Sequence, residues 1–275
     1  MSQLYVVATP IGNLGDITVR ALEILKSVTT ILCEDTRITS RLLQKYEIGK
    51  KKLLVYNDLS KTKDRERILN MLVNEGEDIV LVSDAGTPLI SDPGQKLINF
   101  LRQNNVTVTP IPGCSSVTAA LSVSGLAFDK FLFLGFLPSA AVKRVRLFKK
   151  FSEIGFVFFE RSNRVLPSLN EILENLGDRN VTVAREITKI HEQIITDSIS
   201  AVITYFTENE DKIRGEFVIL VEKIEEEETS DDEIAQIIVK MTKKGLSIKD
   251  ISSELSEVYN INKKKIYEMA LNLKK

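Results

Sequence analysis

Short apolar runs and longer amphipathic stretches take turns along the first part of the chain. The runs fall at residues 4–9, 30–33, 53–56, 78–82 and 106–111 and are rich in Val, Ile and Leu. Between them, apolar positions recur at helical spacing over 19–27, 39–46, 64–75 and 95–104. Runs of that length bounded by Gly, Pro and Asn predict strands, and the spaced stretches predict helices. Strand–helix alternation at this pace predicts a parallel α/β sheet with right-handed crossovers. Parallel strands end on one edge, so five loops are expected along one rim. They are Pro10-Ile11-Gly12-Asn13-Leu14-Gly15-Asp16, Glu34-Asp35-Thr36-Arg37, Tyr56-Asn57-Asp58, a central loop from Ser83 to Gly94, and Pro112-Gly113-Cys114-Ser115-Ser116.

After a small-residue helix over 116–124 and the break at Gly125, the pattern changes. Buried strands are expected at 131–136 and 156–159, separated by a basic amphipathic helix carrying Lys143, Arg144, Arg146, Lys149 and Lys150. A helix over 164–176, a hairpin-like pair at 181–186 and 189–196, a helix near 198–207 and a last strand at 216–222 follow. Consecutive strands of this kind predict a mixed sheet and a second domain. An acidic run beginning at Glu225 reads as a solvated linker. Three short helical patterns at 233–242, 248–259 and 263–273 close the chain and resemble a helix-turn-helix unit. The boundaries are therefore 1–116 and 117–224 for two α/β domains, 225–232 for the linker, and 233–275 for a basic all-helical domain.

Composition alters this picture only locally. At 275 residues and a net charge of −1 there is no global pull toward nucleic acid or membrane, so any basic surface is local. Lysines gather in the tail, among them Lys263, Lys264 and Lys265, which favours contact with nucleic acid there. No apolar run approaches the length of a membrane span, and the amino terminus opens directly on a strand pattern, so a cytoplasmic protein is expected. Two cysteines without ligand spacing and a single histidine argue against a metal site and against Ser-His-Asp chemistry. That histidine, His191, falls in an alternating pattern with Ile190 and Ile194 and reads as a structural strand residue.

The candidate chemistry lies in the loops. Neither a Gly-x-x-x-x-Gly-Lys-Ser/Thr phosphate loop nor a Gly-x-Gly-x-x-Gly fingerprint occurs. In Ser83-Asp84-Ala85-Gly86-Thr87-Pro88-Leu89-Ile90-Ser91-Asp92-Pro93-Gly94, Gly86 allows close approach to the backbone and the prolines stiffen the loop. Asp84 and Asp92 suit hydroxyl or ammonium groups. With the first and last Gly/Pro loops it describes a small-molecule cleft lined mainly by backbone.

These loops, together with Glu34-Asp35-Thr36-Arg37, Gly135-Phe136-Leu137-Pro138 and Arg185-Glu186-Ile187-Thr188-Lys189, resemble the tetrapyrrole-methylase superfamily, and within it the branch that methylates ribosomal RNA. The resemblance runs in order over residues 3 to about 223, and the tail is similar to that branch's extra helical domain. It implies two α/β domains with S-adenosylmethionine between them, a homodimer, and 2′-O-methylation of a cytidine ribose in the decoding region of 16S rRNA in the small ribosomal subunit. Carried onto this chain, cofactor contacts are implied at Pro10, Ala85, Gly86, Thr87, Ile90, Ser115, Ser116 and Ile187. Tetrapyrrole-modifying relatives have Asp where Thr87 stands, which favours the RNA branch over a tetrapyrrole, small-molecule or protein-bound acceptor.

Methyl transfer to a ribose hydroxyl is an in-line displacement by a poor nucleophile that needs positioning and a proton acceptor. The rim carboxylates Glu34, Glu160 and Glu186 are the catalytic candidates, with Asp35 beside them. Arg37, Arg161 and Arg185 are candidates to clamp RNA phosphates, because a guanidinium fork matches phosphate oxygens. For Glu34–Arg37 and Arg185–Lys189 an ion-pair network between domains is the competing reading.

Overall fold

The computed structural model describes residues 2–223, 231–259 and 261–273. The first sheet takes β1 (Gln3–Val7), β2 (Thr30–Cys33), β3 (Lys52–Val55), β4 (Ile79–Leu81) and β5 (Thr107–Ile111) in the order β3-β2-β4-β1-β5. All four pairings are parallel. Alternation across each strand feeds two apolar layers. In β2, Ile31 and Cys33 pack with Val7 and Val80 on one face, while Leu32 packs with Leu4 and Ile79 on the other. Helices α1 (Val19–Ser27), α2 (Thr36–Lys45), α3 (Thr62–Val73) and α4 (Gln95–Gln103) cover the two faces. A sheet buried on both sides explains why its strands read as continuous apolar runs.

The chain leaves β1 toward β2 and β3, but leaves β4 toward β5 on the opposite edge. The order reverses between these two neighbouring central strands, which is where a crevice opens in such sheets.

Helix α5 (Ser116–Val123) leads to the second sheet, ordered β6-β7-β10-β8-β9. Its strands are β6 (Phe131–Phe136), β7 (Gly155–Arg161), β8 (Asn180–Arg185), β9 (Gln193–Ser198) and β10 (Glu216–Val221). Only β6–β7 is parallel; the remaining pairs are antiparallel, so the sheet is mixed, as the strand pattern predicted. Val117 and Ala120 of α5 pack on one face against Val157, Ala184 and Val218. On the other face α6 (Ala141–Lys150), α7 (Val165–Leu176) and α8 (Ile199–Glu208) bury Phe148, Leu169 and Phe206 against Phe156, Phe158 and Phe217.

Three expectations change. His191 lies in an exposed turn rather than in a strand, and β9 begins only at Gln193. Arg144 does not join the basic surface of α6: it is buried, pairs with Glu171, and donates to the carbonyls of Pro138 and Ser139 (3.0 and 2.6 Å). An arginine with that many acceptors is inside because its partners are. The predicted linker lies largely outside the described residues. Its last two members, Asp231 and Asp232, instead open α9 (Asp231–Lys243), where acidic side chains oppose the helix dipole favourably.

Residues 224–275 form a separate compact unit. Ile234 and Ile238 of α9, Ile251 and Leu255 of α10 (Ile248–Tyr259), and Ile266 and Ala270 of α11 (Lys263–Asn272) make its core. Lys263 and Lys264 are exposed on α11, while Lys265 pairs with Asp231 at 2.7 Å.

Phe148 is fully buried with its ring 5.7 Å from that of Phe156. Phe148→Ala is expected to lower unfolding free energy by about 3–5 kcal/mol in urea titration, the cost of an unfilled aromatic cavity.

Candidate functional site

A cavity of about 610 Å³ lies between the rim of the first sheet and the second sheet. Its walls include Ile11 from the first loop, Asp84 to Thr87 and Ile90 to Asp92 from the central loop, and Ser115 and Ser116 at the start of α5. From the second sheet come Phe136, Phe159 to Asn163, Ile187 and Gly215 to Val218. The volume suits a ligand of nucleoside size.

Three loops are fastened to one another here. Thr9 and Gly86 exchange two backbone hydrogen bonds, 2.9 and 3.0 Å long. The Thr87 hydroxyl donates to the Cys114 carbonyl (3.0 Å), tying the central loop to the segment that enters α5. Gly86 adopts φ +77° at the bridge, and a Cβ there would come within 3.3 Å of the Ile11 side chain. Its first requirement is therefore its own left-handed backbone. Ser115 caps α5 without spending its hydroxyl on the helix, leaving that hydroxyl for the cavity.

Of the implied cofactor residues, Ala85, Gly86, Thr87, Ile90, Ser115, Ser116 and Ile187 all stand on the cavity wall. Pro10 is buried just behind it, between the bridged Thr9 and Ile11. Ile187 is presented by a loop in which Glu186 and Thr188 both take left-handed backbone (φ +51° and +67°). The Thr188 hydroxyl accepts from the Asn13 backbone N–H (3.0 Å), joining that loop to the first one.

The carboxylate candidates separate sharply. Glu160 has no exposed side chain and is fully engaged. Its Oε1 pairs with Arg164 (2.6 Å) and accepts from the Arg161 N–H, while Oε2 accepts from Ser168 (2.7 Å). Glu186 meets Lys189 at 2.8 Å, and Lys189 also reaches Glu216 at 3.0 Å. Burial raises the Glu186 pKa, but the Lys189 ammonium and the Glu216 backbone N–H outweigh it and leave the carboxyl below its ordinary range. These ion pairs stay within the second sheet's segment, so the network is local to that part of the chain and does not run between domains.

Glu34 has no such partners. Its Oε1 is buried without a hydrogen bond, and its pKa rises from an ordinary 4.5 to about 7. Burial is the main cause, followed by the charges of Asp92, Asp84 and Asp58. Glu34 is not itself on the cavity wall, but Asp84 and Asp92 are, and the Asp35 N–H donates to Asp84 Oδ1 (3.1 Å). Burial raises both aspartates as well. Asp35 goes the other way, to about 2, because its hydrogen bonds to Arg37 favour the charged form.

Arg161 is exposed on the cavity wall. Arg37, also exposed, is pinned to Asp35, and Arg185 donates to the Arg214 carbonyl (2.8 Å). Neither of these two is a wall residue. Phe136 and Asn163 are wall residues to which sequence reasoning gave no role; their nearest signals were the Gly135-Phe136 dipeptide and the polar loop Glu160-Arg161-Ser162-Asn163-Arg164.

Comparison with known proteins fixes the family. The model of the Tetrapyrrole (Corrin/Porphyrin) Methylases matches residues 3–203. A protein of Rickettsia prowazekii named ribosomal RNA small subunit methyltransferase I is 40% identical over 274 residues, covering 98% of this chain and 96% of its own. The chain belongs to this family. A Thermotoga maritima relative of the same name is 44% identical over 223 residues, 80% of this chain and 98% of its own. Among solved structures, uroporphyrin-III C-methyl transferase from Thermus thermophilus, complexed with S-adenyl homocysteine, shares the fold. Its TM-score is 0.54 at 19% identity, with 80% of this chain and 97% of that one covered.

The raised Glu34 pKa sets a sign for stability. The protonated form is favoured in the folded chain, so this contribution is complete below about pH 4.5 and is lost as pH rises through about 7. Glu34→Gln, a permanent neutral mimic, should match the parent in Tm at pH 5 and exceed it at pH 8. Equal Tm values at both pH values would place Glu34 in an ordinary solvated setting.

Proposed function

We propose that this protein methylates the 2′-oxygen of one cytidine in the decoding region of 16S ribosomal RNA, acting in the cytoplasm as a homodimer on the small ribosomal subunit. Ribosomal RNA methylation is the activity of its family, and S-adenosylmethionine is the methyl donor. The cavity residues fit that donor. Ala85 and Gly86 offer backbone with little side-chain bulk, the free Ser115 hydroxyl and the first N–H groups of α5 suit its polar ends, and Asp84 and Asp92 suit its cationic groups.

The observation that carries the choice of a ribose oxygen is the Glu34–Asp84–Asp92 carboxyl group. A ribose hydroxyl is a poor nucleophile and must surrender its proton as the new C–O bond forms. A carboxyl poised near neutrality and electrostatically joined to two wall aspartates suits that acceptance. Methylation of a pyrimidine ring carbon would instead call for a nucleophile to activate the ring. Burial pushes both thiols, Cys33 and Cys114, up and away from the thiolate form. In this reading Glu160 and Glu186 brace the cavity through Arg164 and Lys189. Arg161, Arg37 and Arg185 meet RNA phosphates, and the donor contacts Pro10, Thr87, Ile90, Ser116 and Ile187 besides the residues above. Residues 1–116 and 117–224 act as two domains that hold the donor between them.

Small-subunit particles from cells lacking this protein should accept label from methyl-labelled donor. One cytidine linkage should become resistant to alkali, because a 2′-O-methyl group blocks attack on the adjacent phosphate. Label in an alkali-sensitive linkage would move the methyl to a base, and transfer to a tetrapyrrole with none to RNA would return the chain to the wider superfamily.

The Thermotoga relative matches 80% of this chain with 98% of its own length, so about a fifth of this chain has no counterpart in it; we assign the chemistry to residues 1–223, which form one compact unit, and substrate capture to the tail. Deleting residues 230–275 should leave donor affinity unchanged and weaken RNA binding. Lys263→Ala with Lys264→Ala should flatten the salt dependence of that binding by roughly one to two counterions. An unchanged slope would make the tail a structural appendage.

A further inference from the structure

Strand β6 breaks register beside the cavity. Phe133 pairs with Val157 and Phe136 with Phe159, so three steps along β6 answer two along β7. Gly135 absorbs the extra residue with a left-handed backbone, φ +63°, and a Cβ there would come within 3.1 Å of the Ser91 hydroxyl. In a regular strand, residues three apart point to opposite faces. The bulge brings both rings to one side, with centroids 5.0 and 5.3 Å from that of Phe159. Phe133 is partly buried in the apolar layer, whereas Phe136 is 54% exposed at the cavity. Bulges beside functional sites re-aim side chains in this manner.

The support behind Phe136 is rigid. Arg144 holds the carbonyls of Pro138 and Ser139, and Arg164 holds that of Leu137 (3.2 Å). Glu171 and Glu160 in turn hold the two guanidinium groups. Two buried ion pairs therefore fix the segment that follows one half-exposed phenylalanine. Asn163, exposed on the same wall, carries both a donor and an acceptor beside Arg161.

We propose that Phe136 is the stacking platform for the base of the acceptor nucleotide, which leaves its own strand to enter the cavity. The inference rests on the proposed RNA methylation and names the part of the site that holds the acceptor. A ribose packed within an RNA stack cannot reach a cavity wall, so its nucleotide must unstack. Proteins offset that loss by offering an aromatic face at the point of entry. Phe136 and Arg161 line the same cavity as Asp84 and Asp92, so a ribose held between base and flanking phosphate shares that cavity with both aspartates.

The test uses the full-length protein as Phe136→Ala, Phe136→Leu and Phe136→Trp, with small-subunit particles as acceptor. Stacking on an aromatic is worth about 1–3 kcal/mol per base, or roughly 5- to 150-fold. KM for the particle should rise by about that factor in the Ala and Leu variants and stay within about twofold in the Trp variant. Donor affinity by calorimetry and sedimentation behaviour should match the parent in all three. Phe136→Leu performing like the parent would overturn the proposal, since apolar volume alone would then suffice. A parallel loss of donor affinity would make the ring part of the donor site, and a change in sedimentation would make it a subunit contact; either overturns it. A parent protein that transfers methyl to the particles, with Phe136→Ala unchanged, would sink this inference alone. A parent that transfers nothing to RNA would sink the function with it.

Discussion

Thr9 and Gly86 exchange a pair of backbone hydrogen bonds where the strand order of the first sheet reverses, and the other contacts around the cavity are arranged about that bridge. The two loops leave neighbouring parallel strands and would otherwise diverge toward opposite edges. Joining them needs a residue at φ +77°, which only glycine takes without strain. The next residue, Thr87, then carries the connection to Cys114 and so to the start of α5. One bridge and one hydroxyl thus hold three loops in a fixed frame. Thr87 stands where tetrapyrrole-modifying relatives were expected to carry Asp, and here its hydroxyl serves as a brace between loops.

Environment, rather than residue type, sorts the carboxyls. Glu160 lies in the buried strand β7 and Glu34 directly follows the buried strand β2, yet three donors converge on the first and none reaches Oε1 of the second. A buried carboxylate without donors holds its proton more tightly, and nearby negative charge adds to the effect. Glu160 therefore stabilises a guanidinium that supports the wall, while Glu34 is left able to exchange a proton near neutrality.

The fold was legible because both of its signals are local. Apolar runs of strand length, spaced by helical patterns, can be satisfied only by a sheet buried on both faces, and Ile31, Leu32 and Cys33 divide between those faces accordingly. Composition marked the Gly/Pro loops and Gly86 as a cleft, while Ala85, Thr87, Ser115 and Ser116 were singled out by the family resemblance; all of them stand on the wall. What failed depended on distant partners. Ile190, His191 and Ile194 mimic strand alternation, but left-handed backbone at Glu186 and Thr188 turns the chain away before pairing begins. Arg144 looked like surface charge because Glu171 and the Pro138 and Ser139 carbonyls, its acceptors, cannot be foreseen from helix periodicity. Phe136 was hidden by a register shift that two-residue alternation does not allow.

Backbone strain in the described residues is not spread evenly. Six residues other than glycine take left-handed backbone, and Leu89, Ser91, Glu186 and Thr188 belong to the two loops that approach the cavity from opposite sheets. Each such residue carries a penalty on the order of 1–3 kcal/mol when its side chain is not suited to the conformation. It persists only where the surroundings leave no alternative. Here Thr188 is held through Asn13, and Lys189 is held between Glu186 and Glu216. Ser91 lies against Gly135, at the bulge that turns Phe136 outward. The same loops that concentrate strain therefore join the two sheets, and relaxing either would loosen both walls together. That coupling gives a physical reason for the cavity's shape to be fixed before any ligand arrives, which is the condition under which binding energy serves orientation.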